Sequence, residues 1–560
     1  MFTNFYTYIF FYIFIILSTM GYGLAINSVS KKFKISNNLG YVGLIGFLFL
    51  TIYAYLSNIF ISHGKTHNII ILIIGLIFFI KLFFTISKKQ DWNYFLLIFL
   101  ILLIAAFIFK AHDDFPYYHF SYSHYLTENS LIMGIGQFNL GYRTPSSIFY
   151  LNSLFYVPYA EYFMFHMPVI MIMGFSNLTL LIKLTKNIKK NQINFVTYFS
   201  LLVFIFINIF FYRIAEHGTD KSAQILVFLL FIEILLLTNF KTNISNQISK
   251  IYILTALIIS LKAFFMLYGI FFLTIVLHLL NNFNVLQTIK KLFYNPFFSF
   301  LLLTFSLVIF SNFATSGCLV YPLTFTCFDT LLWSIEAQEV TVLNDWYEQW
   351  AKAGAGPNFR VENPTEYIQY FNWVGNWIDM YFFNKVSDYL LGMLLLSMII
   401  FFTFKSKVII KRKERRVIII LTLISILLFE WFYNHPALRY GGYCLISSII
   451  FLAVSLNLEK YKIPKKKLIK KFLFFVVLIF LIFISRNVNR IFYENKTYNY
   501  QPIKMVYYKI DPVYFETSQK IKKLILNYNT CITDKINCNT KEELGLKKIF
   551  NIYVIYKIND

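Results

Sequence analysis

Charged residues are scarce in this 560-residue chain: Asp, Glu, Lys and Arg together make up 14% of it, and only 27 residues are acidic. Hydrophobic residues make up 58%, against roughly 45–50% in ordinary soluble domains. Aromatic residues account for 20%, and the mean hydropathy is +0.61. This composition excludes an ordinary soluble domain and predicts a protein that crosses a membrane many times.

The chain also lacks a recognisable cleavable signal, an internal repeat and a low-complexity linker. Its first apolar run, 5–26, has no basic segment before it and no small-residue cleavage site, and it reaches the ~20 residues that span a bilayer. We expect this run to stay as the first helix. A single integral domain with an outer cap is the simplest organisation.

Apolar runs of spanning length recur along the whole chain. They lie at 5–26, 40–62, 68–87, 93–110, 162–183, 194–211, 223–240, 251–280, 297–313, 386–404, 417–433, 442–458 and 472–485. The run 251–280 is interrupted by Lys262 and Gly269 and is too long for one span, so we divide it into two. The sequence therefore predicts an all-α polytopic membrane protein with about 14 transmembrane helices.

Lysine and arginine predict the orientation, because cytoplasmic loops of membrane proteins are enriched in both. With the N-terminus outside, the inward loops hold 28 basic residues and the outward loops hold nine. The tail 486–560 is predicted to lie outside, as are the two large loops 110–161 and 314–385, so both termini are extracytoplasmic. The net charge of +24 is accounted for by the basic residues of the inward loops. It therefore reports the membrane topology, and no nucleic-acid partner is expected.

The five cysteines test this orientation, because disulfides form in oxidising compartments. Cys318 and Cys327 share one predicted outward loop, Cys531 and Cys538 share the outward tail, and Cys444 lies in a predicted helix. No CxxC spacing of a metal site occurs. We predict two short-range disulfides on the outer face; four free thiols are the alternative.

Ionisable residues at membrane edges are costly and tend to mark function. Here the unusual ones gather at the predicted outer surface, and they are His112, Asp113, Asp114, His119, Arg143, Arg213, Glu216, Asp220, Lys262, His435 and Arg439. Arg and Lys bind phosphate groups, and a carboxylate can act as a general base or orient a hydroxyl. Such a site suits a reaction between a lipid-linked phosphate donor and an acceptor outside the membrane.

Each of these residues also has a structural interpretation. The pair Asp113 and Asp114 could cap a juxtamembrane helix. Arg143 could pair with Asp113 or Glu161 and hold its own turn. Either interpretation would leave the residue without a direct chemical role.

His112, His119 and His124 could bind a divalent metal together with the aspartates, or they could be plain interfacial histidines. The sequence leaves a metal requirement open. The segment 346–357, with Trp373 and Trp377, offers aromatic faces that would suit a sugar or an isoprenoid. Packing of these tryptophans at the membrane interface explains the same pattern.

The acidic pair at the head of the first large loop resembles that of the GT-C superfamily of membrane glycosyltransferases, which includes protein O-mannosyltransferases and aminoarabinose transferases. The resemblance covers roughly residues 93–320. It implies a GT-C-like transmembrane domain over 93–485, with N-terminal helices in 1–92 before it and a small mixed α/β tail in 486–560 after it. In the family plan the acidic loop follows the first helix, whereas here three helices precede the one that leads into it.

The resemblance further implies a polyprenyl-phosphate sugar donor, a glycan or lipid acceptor, Asp113 as the base, and Asp114 as an orienting or metal-contacting group. The segments 143–147, 215–220 and 435–443 also resemble those of an uncharacterised family of bacterial polytopic membrane proteins. That second resemblance implies no mechanism.

We therefore predict a glycosyltransferase at the outer face of a bacterial inner membrane, which moves a sugar from a polyprenyl-linked phosphate to a cell-envelope acceptor. The donor phosphate would contact Arg143, Arg213, Lys262, His435 and Arg439. An O-antigen-type polymerase or ligase is one alternative and would use outward Arg and His groups without the aspartates. A transporter or flippase is another and would need ionisable residues near mid-membrane on several helices, whereas here such residues cluster at one surface and only Glu233, Lys262 and His278 lie within predicted spans.

Overall fold

The computed structural model describes residues 5–29, 38–86, 89–108, 113–356, 361–409, 414–499, 501, 512–534 and 544–558. Within these ranges the chain is almost entirely helical. The first helices are α1 (Phe5–Val29), α2 (Leu39–Phe60), α3 (Lys65–Ile86), α4 (Lys89–Ala106), α5 (Phe120–Glu128), α6 (Ser147–Leu154), α7 (Met167–Lys189), α8 (Phe195–Phe210), α9 (Asp220–Asn239) and α10 (Ile244–Leu261). The others are α11 (Phe272–Leu280), α12 (Val285–Phe293), α13 (Pro296–Ser316), α14 (Ala337–Lys352), α15 (Pro364–Ile368), α16 (Val374–Trp377), α17 (Ser387–Phe404), α18 (Ile418–Asn434), α19 (Gly442–Leu458), α20 (Lys465–Tyr498) and α21 (Glu516–Asp534).

Ten helical segments in the described part of the chain are long and apolar enough to cross a membrane. They include α1, α2, α3, α7, α9, α10, α13 and α20, and two segments that end with α11 and α17. Four further apolar helical stretches, Gln90–Ala106 within α4 and the helices α8, α18 and α19, have 10–17 residues, fewer than the ~20 that span the hydrocarbon core. The protein is a multi-pass membrane protein, and the count of about 14 spans stays a prediction.

The long apolar run 251–280 is divided, and the break falls at Lys262. Helix α10 ends at Leu261, and Lys262 has extended backbone angles, with φ −164° and ψ 141°. A 3₁₀ segment, Ala263–Phe271, then leads into α11. The break places the lysine at a helix end, where its charge can reach polar partners, whereas Gly269 lies inside the 3₁₀ segment.

The centre of the bundle is formed by α2, α7 and α9, whose residues are almost all buried. Small residues bring the neighbouring helices close: a Cβ at Gly21 of α1 would lie 1.8 Å from the carbonyl oxygen of Gly75 in α3. Close backbone approach through small residues is a general means of helix packing in membranes. Helices α3, α11, α13 and α17 lie at the rim and expose apolar side chains.

One charged group is buried inside the bundle, near the predicted cytoplasmic ends of the helices. Glu233 of α9 accepts from Lys183 of α7 at 3.3 Å, and Lys250 of α10 lies 3.6 Å from its other oxygen. Gln247 also donates to this carboxylate. A buried charge needs such partners, and the cluster joins three helices.

A cap covers one end of the bundle, and its described residues are 113–161, 317–356, 361–386, 512–534 and 544–558. Strands β2 (Leu544–Ile549) and β3 (Ile552–Lys557) form an antiparallel hairpin, and β1 (Ile132–Met133) pairs in parallel with β3, in the order β1-β3-β2. The helix and the small sheet of the tail agree with the predicted mixed α/β composition. Helix α20 continues to Tyr498, beyond the predicted end of the last span at 485.

The predicted disulfide between Cys318 and Cys327 is present in the cap. Cys444 is a buried free thiol within α19, as expected for a helix residue. The second predicted disulfide falls outside the described residues, because Cys538 and the side chain of Cys531 are not described.

Candidate functional site

Four charged side chains from four distant segments meet under the cap. Asp220, the first residue of α9, accepts from Lys262 Nζ at 2.8 Å through Oδ1 and from Arg439 Nε at 2.9 Å through Oδ2. Arg439 Nη2 also lies 3.4 Å from Asp114 Oδ2. We call these four residues the charge cluster; all were predicted as site candidates, and the fold brings them together.

Local backbone features place each member of the charge cluster. Lys262 stands at the helix break, and Asp220 follows Gly218, which has a positive φ of 51°. Arg439 lies in the short 3₁₀ turn Leu438–Tyr440. Gly441 ends this turn with a φ of 110°, and a Cβ there would lie 2.5 Å from the hydroxyl of Tyr268, so a glycine is required.

Buried polar contacts hold the Arg439 backbone in place. Gln224 of α9 donates from Nε2 to the carbonyl oxygen of Arg439 at 2.9 Å, and its Oε1 accepts from the backbone N–H of Cys444 at 3.1 Å. Gln224 is fully buried. The guanidinium therefore projects from a fixed loop.

Aromatic rings flank the two cations. The Arg439 guanidinium lies 5.2 Å from the ring centres of both Trp350 and Tyr440, and Lys262 Nζ lies 4.6 Å from that of Tyr440. Cation–π contacts at this range are attractive, and they strengthen where water is excluded. Trp350 comes from α14, so the second large loop contributes one wall of the site.

The charge cluster is formally neutral, with two carboxylates and two cations. Asp220 is its most buried member, with 7% of its side chain exposed, whereas Lys262, Arg439 and Asp114 are 25%, 30% and 34% exposed. Burial tends to lower the pKa of Arg439, but Tyr440, Asp220 and Asp114 outweigh it and raise the pKa well above its usual value. Arg439 is therefore permanently charged.

His435 lies beside the charge cluster and does not add a positive charge to it. Burial, with smaller contributions from Lys262 and Lys352, lowers its pKa to about 4, so the ring is neutral at pH 7. Its ring packs 5.6 Å from that of Phe264, and its Nδ1 is buried without a hydrogen-bond partner among the described residues. A neutral imidazole can form a hydrogen bond to a phosphate but not an ion pair with it. The predicted contact of His435 with the donor phosphate would therefore be a hydrogen bond.

The two adjacent aspartates have different surroundings. Asp114 contacts Arg439, whereas Asp113 is exposed. Asp114 precedes the π-helix Phe115–His119, yet its side chain makes no capping hydrogen bond to it. The capping interpretation of this residue is therefore not supported, and the Asp114 carboxylate is directed to the charge cluster.

Arg143 lies in a different part of the cap. Its Nη2 is 2.7 Å from Glu339 Oε1 and its Nε donates to the carbonyl oxygen of Gly136 at 3.0 Å, with the residue almost fully buried. The alternative interpretation had Arg143 pair with Asp113 or Glu161, but among the described residues it pairs with Glu339, and Glu161 pairs with Lys65. Arg143 ties the first large loop to α14.

Arg213 and Glu216 also have other partners. Arg213 Nη1 lies 3.5 Å from Glu216 Oε2, and Glu216 Oε1 accepts from Arg490 of α20 at 2.5 Å. His119 is buried with its ring 5.0 Å from that of Phe149. His112 lies outside the described residues, and no group of three His, Cys, Asp or Glu side chains placed to hold a metal ion is found in the described part of the chain.

Lys352 is a residue that the sequence did not single out. Its side chain is 1% exposed, and Nζ donates to Glu348 Oε2 at 3.1 Å and to the carbonyl oxygen of Ile368 at 3.0 Å. The rings of Trp373 and Tyr433 lie within 5.4 Å of it. The spacing of four residues between Glu348 and Lys352 could have indicated this ion pair from the sequence. It could not have indicated that the pair is buried, because the same spacing is typical of exposed pairs on a helix.

An apolar groove of about 470 Å³ lies between α10, the 3₁₀ segment that follows it, and α13. Its lining includes Ile259 and Met266, three residues before and four residues after Lys262. Gly269 also lines it, and no atom lies within 4 Å of a Cβ built there. Two lining residues of the groove thus lie within four residues of Lys262 along the chain, and the groove is bordered by helices at the rim of the bundle.

A family model described as a domain of unknown function (DUF8201) matches residues 6–446, and the chain belongs to this family. The matched range contains every member of the charge cluster and the segments 143–147, 215–220 and 435–443. No curated protein and no solved structure matches the chain.

Proposed function

We propose that this DUF8201 protein is a glycosyltransferase that moves a sugar from a polyprenyl-linked phosphate donor to a cell-envelope acceptor at the outer face of a bacterial inner membrane. The observation that carries the proposal is the charge cluster, in which two carboxylates and two cations converge at one end of the bundle. An apolar groove lined by Ile259 and Met266, which flank Lys262 along the chain, supports it.

Lys262 and Arg439 are the groups for the donor phosphate. Asp220 holds both cations in place through its two oxygens. The contact between Arg439 and Asp114 is longer, at 3.4 Å, and both side chains are about one-third exposed, so a phosphate can replace Asp114 at little cost. Guanidinium groups bind phosphate by paired hydrogen bonds, and Nη2 is the nitrogen that contacts Asp114.

The apolar groove would take the isoprenoid chain of the donor. Ile259 and Met266 flank Lys262 along the chain, so a lipid lying between α10 and α13 would bring its phosphate to the lysine. Burial of an apolar chain contributes roughly 25 cal/mol per Å² removed from water. Binding energy from the lipid would then position the reacting end of the donor.

Asp113 is the base in this proposal. Its exposure and its position next to Asp114 support this role, because an acceptor hydroxyl could reach it. The carboxylate accepts the hydroxyl proton, the oxygen forms a bond to the anomeric carbon, and the bond from that carbon to the phosphate oxygen breaks. Lys262 and Arg439 stabilise the negative charge of the departing polyprenyl phosphate.

The test compares envelope glycans by mass spectrometry in cells that carry the wild type, Asp113→Asn, or the control Asp329→Asn, an exposed aspartate elsewhere in the cap. A general base contributes about 10²- to 10⁴-fold, so Asp113→Asn should abolish the sugar modification at normal protein levels. The control should retain it. Wild-type glycans in the Asp113→Asn strain would sink the assignment of the base.

An O-antigen-type polymerase or ligase is a second candidate, and the position of Arg439 and His435 in one short loop beside Lys262 favours it. This function would need these two groups without the aspartates. Full activity of both Asp113→Asn and Asp114→Asn, with loss on Arg439→Gln, would support it. Substrate uptake into vesicles without a covalent product would instead indicate a transporter.

A further inference from the structure

A second cluster of cations lies at the same end of the bundle, outside the charge cluster. It comprises Arg213, Lys221, Arg486 and Arg490, with the carboxylates of Glu216 and Glu494. Four cations and two carboxylates leave an excess of two positive charges. The proposed transfer reaction uses none of these groups.

Tyr212 organises the outer part of this second cluster. The Arg486 guanidinium carbon lies 3.6 Å from the centre of the Tyr212 ring, and that of Arg213 lies 5.6 Å from it. Arg213 Nε also donates to the Tyr212 hydroxyl at 3.0 Å. Two guanidinium groups are thus held beside one ring although like charges repel.

Most of the hydrogen-bonding capacity of these two arginines is not used by the described part of the protein. Arg486 Nη1 donates to the carbonyl oxygen of Ile209 at 2.7 Å, near the end of α8, and this is its one hydrogen bond to a described residue. Each guanidinium carries five N–H donors. Arg486 is exposed, and half of the Arg213 side chain is exposed.

The inner part of the second cluster comprises Arg490, Lys221, Glu216 and Glu494, whose charges sum to zero. It therefore cannot neutralise the two positive charges of the outer part, Arg213 and Arg486. Arg490 contacts both Glu216 and Glu494, and these two carboxylates are almost buried. Lys221 is close enough to Glu216, Arg490 and Arg439 to interact with them electrostatically, and its charge balances the second carboxylate. The exposed pair Arg213 and Arg486 therefore presents a positive field to its surroundings.

The position of the pair matches the level of lipid headgroups. Helix α8 is apolar and ends at Phe210, two residues before Tyr212. Helix α20, which packs on α8, is apolar from Phe472 to Ile484, and Arg486 is the first charged residue after that stretch. Tyr and Arg at the end of spanning segments lie where phosphates of the adjoining leaflet lie.

We propose that Arg213 and Arg486 bind the phosphate of an anionic phospholipid in the leaflet that adjoins the cap. Each guanidinium donates to the phosphate oxygens, and Tyr212 keeps the two groups at a fixed separation. This lipid site is separate from the donor site at Lys262 and Arg439, and it does not depend on the proposed transfer reaction.

The experiment measures lipid retention by native mass spectrometry of the full-length protein released from phosphatidylcholine nanodiscs that contain phosphatidylglycerol. The double variant Arg213→Gln with Arg486→Gln should bind phosphatidylglycerol at least about tenfold more weakly, because charge-assisted contacts from two guanidinium groups are lost. Lys385→Gln is the matched control: Lys385 is also exposed and lies 5.4 Å from the ring of Tyr381, but it is a single cation.

A second variant, Arg213→Lys with Arg486→Lys, keeps both charges and should retain part of the binding, which distinguishes lost recognition from misfolding. Equal loss in Lys385→Gln, or unchanged retention in the Gln variant, would overturn the site. Inorganic phosphate is the remaining arm: if it binds in pure phosphatidylcholine nanodiscs as strongly as phosphatidylglycerol does, the assignment to a lipid is wrong.

Discussion

Asp220 is the carboxylate that both cations of the charge cluster share, and Asp220→Asn should destabilise the protein strongly. The side chain is 7% exposed and lies 2.8 Å from Lys262 Nζ and 2.9 Å from Arg439 Nε. Asparagine has nearly the same shape. The variant therefore removes the negative charge and leaves two cations facing each other.

The magnitude follows from burial. Removal of one partner from a buried ion pair costs about 3–5 kcal/mol, and the partial exposure of Lys262 and Arg439 places this case near 3 kcal/mol. The Asp114 pair is longer and one-third exposed, so Asp114→Asn should cost only about 0–1 kcal/mol. Lys262→Met in the Asp220→Asn background removes one uncompensated cation and should recover about 1 kcal/mol or more.

The assay is denaturant unfolding in mixed micelles, followed by tryptophan fluorescence, for the wild type, Asp220→Asn, Lys262→Met, their double variant and Asp114→Asn. A double-mutant cycle then gives the coupling between Asp220 and Lys262. Equal losses for Asp220→Asn and Asp114→Asn, or strictly additive effects of the pair, would refute the electrostatic reasoning.

Two further predictions concern the groove and His435. Gly269→Leu fills open space in the groove and should lower the rate of transfer from the lipid-linked donor about tenfold, while the free energy of unfolding changes by less than ~0.5 kcal/mol. Gly64→Leu is the control: it also meets open space and should leave the rate of transfer unchanged. Equal activity of the two variants would contradict a lipid in the groove. The pKa of His435 is about 4 in the folded protein and about 6.5 in the unfolded chain, so the free energy of unfolding should fall by at most about 3 kcal/mol as the pH is lowered from 6.5 to 4. The variant His435→Gln lacks the titrating ring and should flatten that part of the curve of unfolding free energy against pH.

Most of the membrane-spanning helices could be located from hydrophobic runs in the sequence. In the run 251–280, the charged residue Lys262 marked the position at which the run is divided into two helical segments. The pairing of Cys318 with Cys327 was also predictable, since short spacing in one loop favours it. Helix ends were less predictable: α20 runs to Tyr498 because polar residues on a helix can find partners in a neighbouring segment, as Arg490 does with Glu216, as readily as they can end the helix.

The members of the charge cluster were predicted one by one, but their contacts were not. Arg439 and Asp220 are 219 residues apart, and no local pattern links them. Arg143 and Arg213 were assigned to the same site because their charge and predicted depth suited it. Arg143 pairs with Glu339, which is 196 residues away and which no local pattern marks. Arg213 pairs with Glu216 at a spacing of three residues, which is visible in the sequence.

The contact of the tail with the first large loop has a consequence for biosynthesis. His124 and Ser518, whose side chains lie 3.1 Å apart, are separated by 394 residues, and Phe120 packs on Phe515 with ring centres 5.3 Å apart. Translation at about 5–20 residues per second delivers the second partner on the order of tens of seconds after the first. Throughout that interval Phe120 lacks part of its covering, so the nascent chain is most exposed to proteases and most dependent on chaperones at this loop.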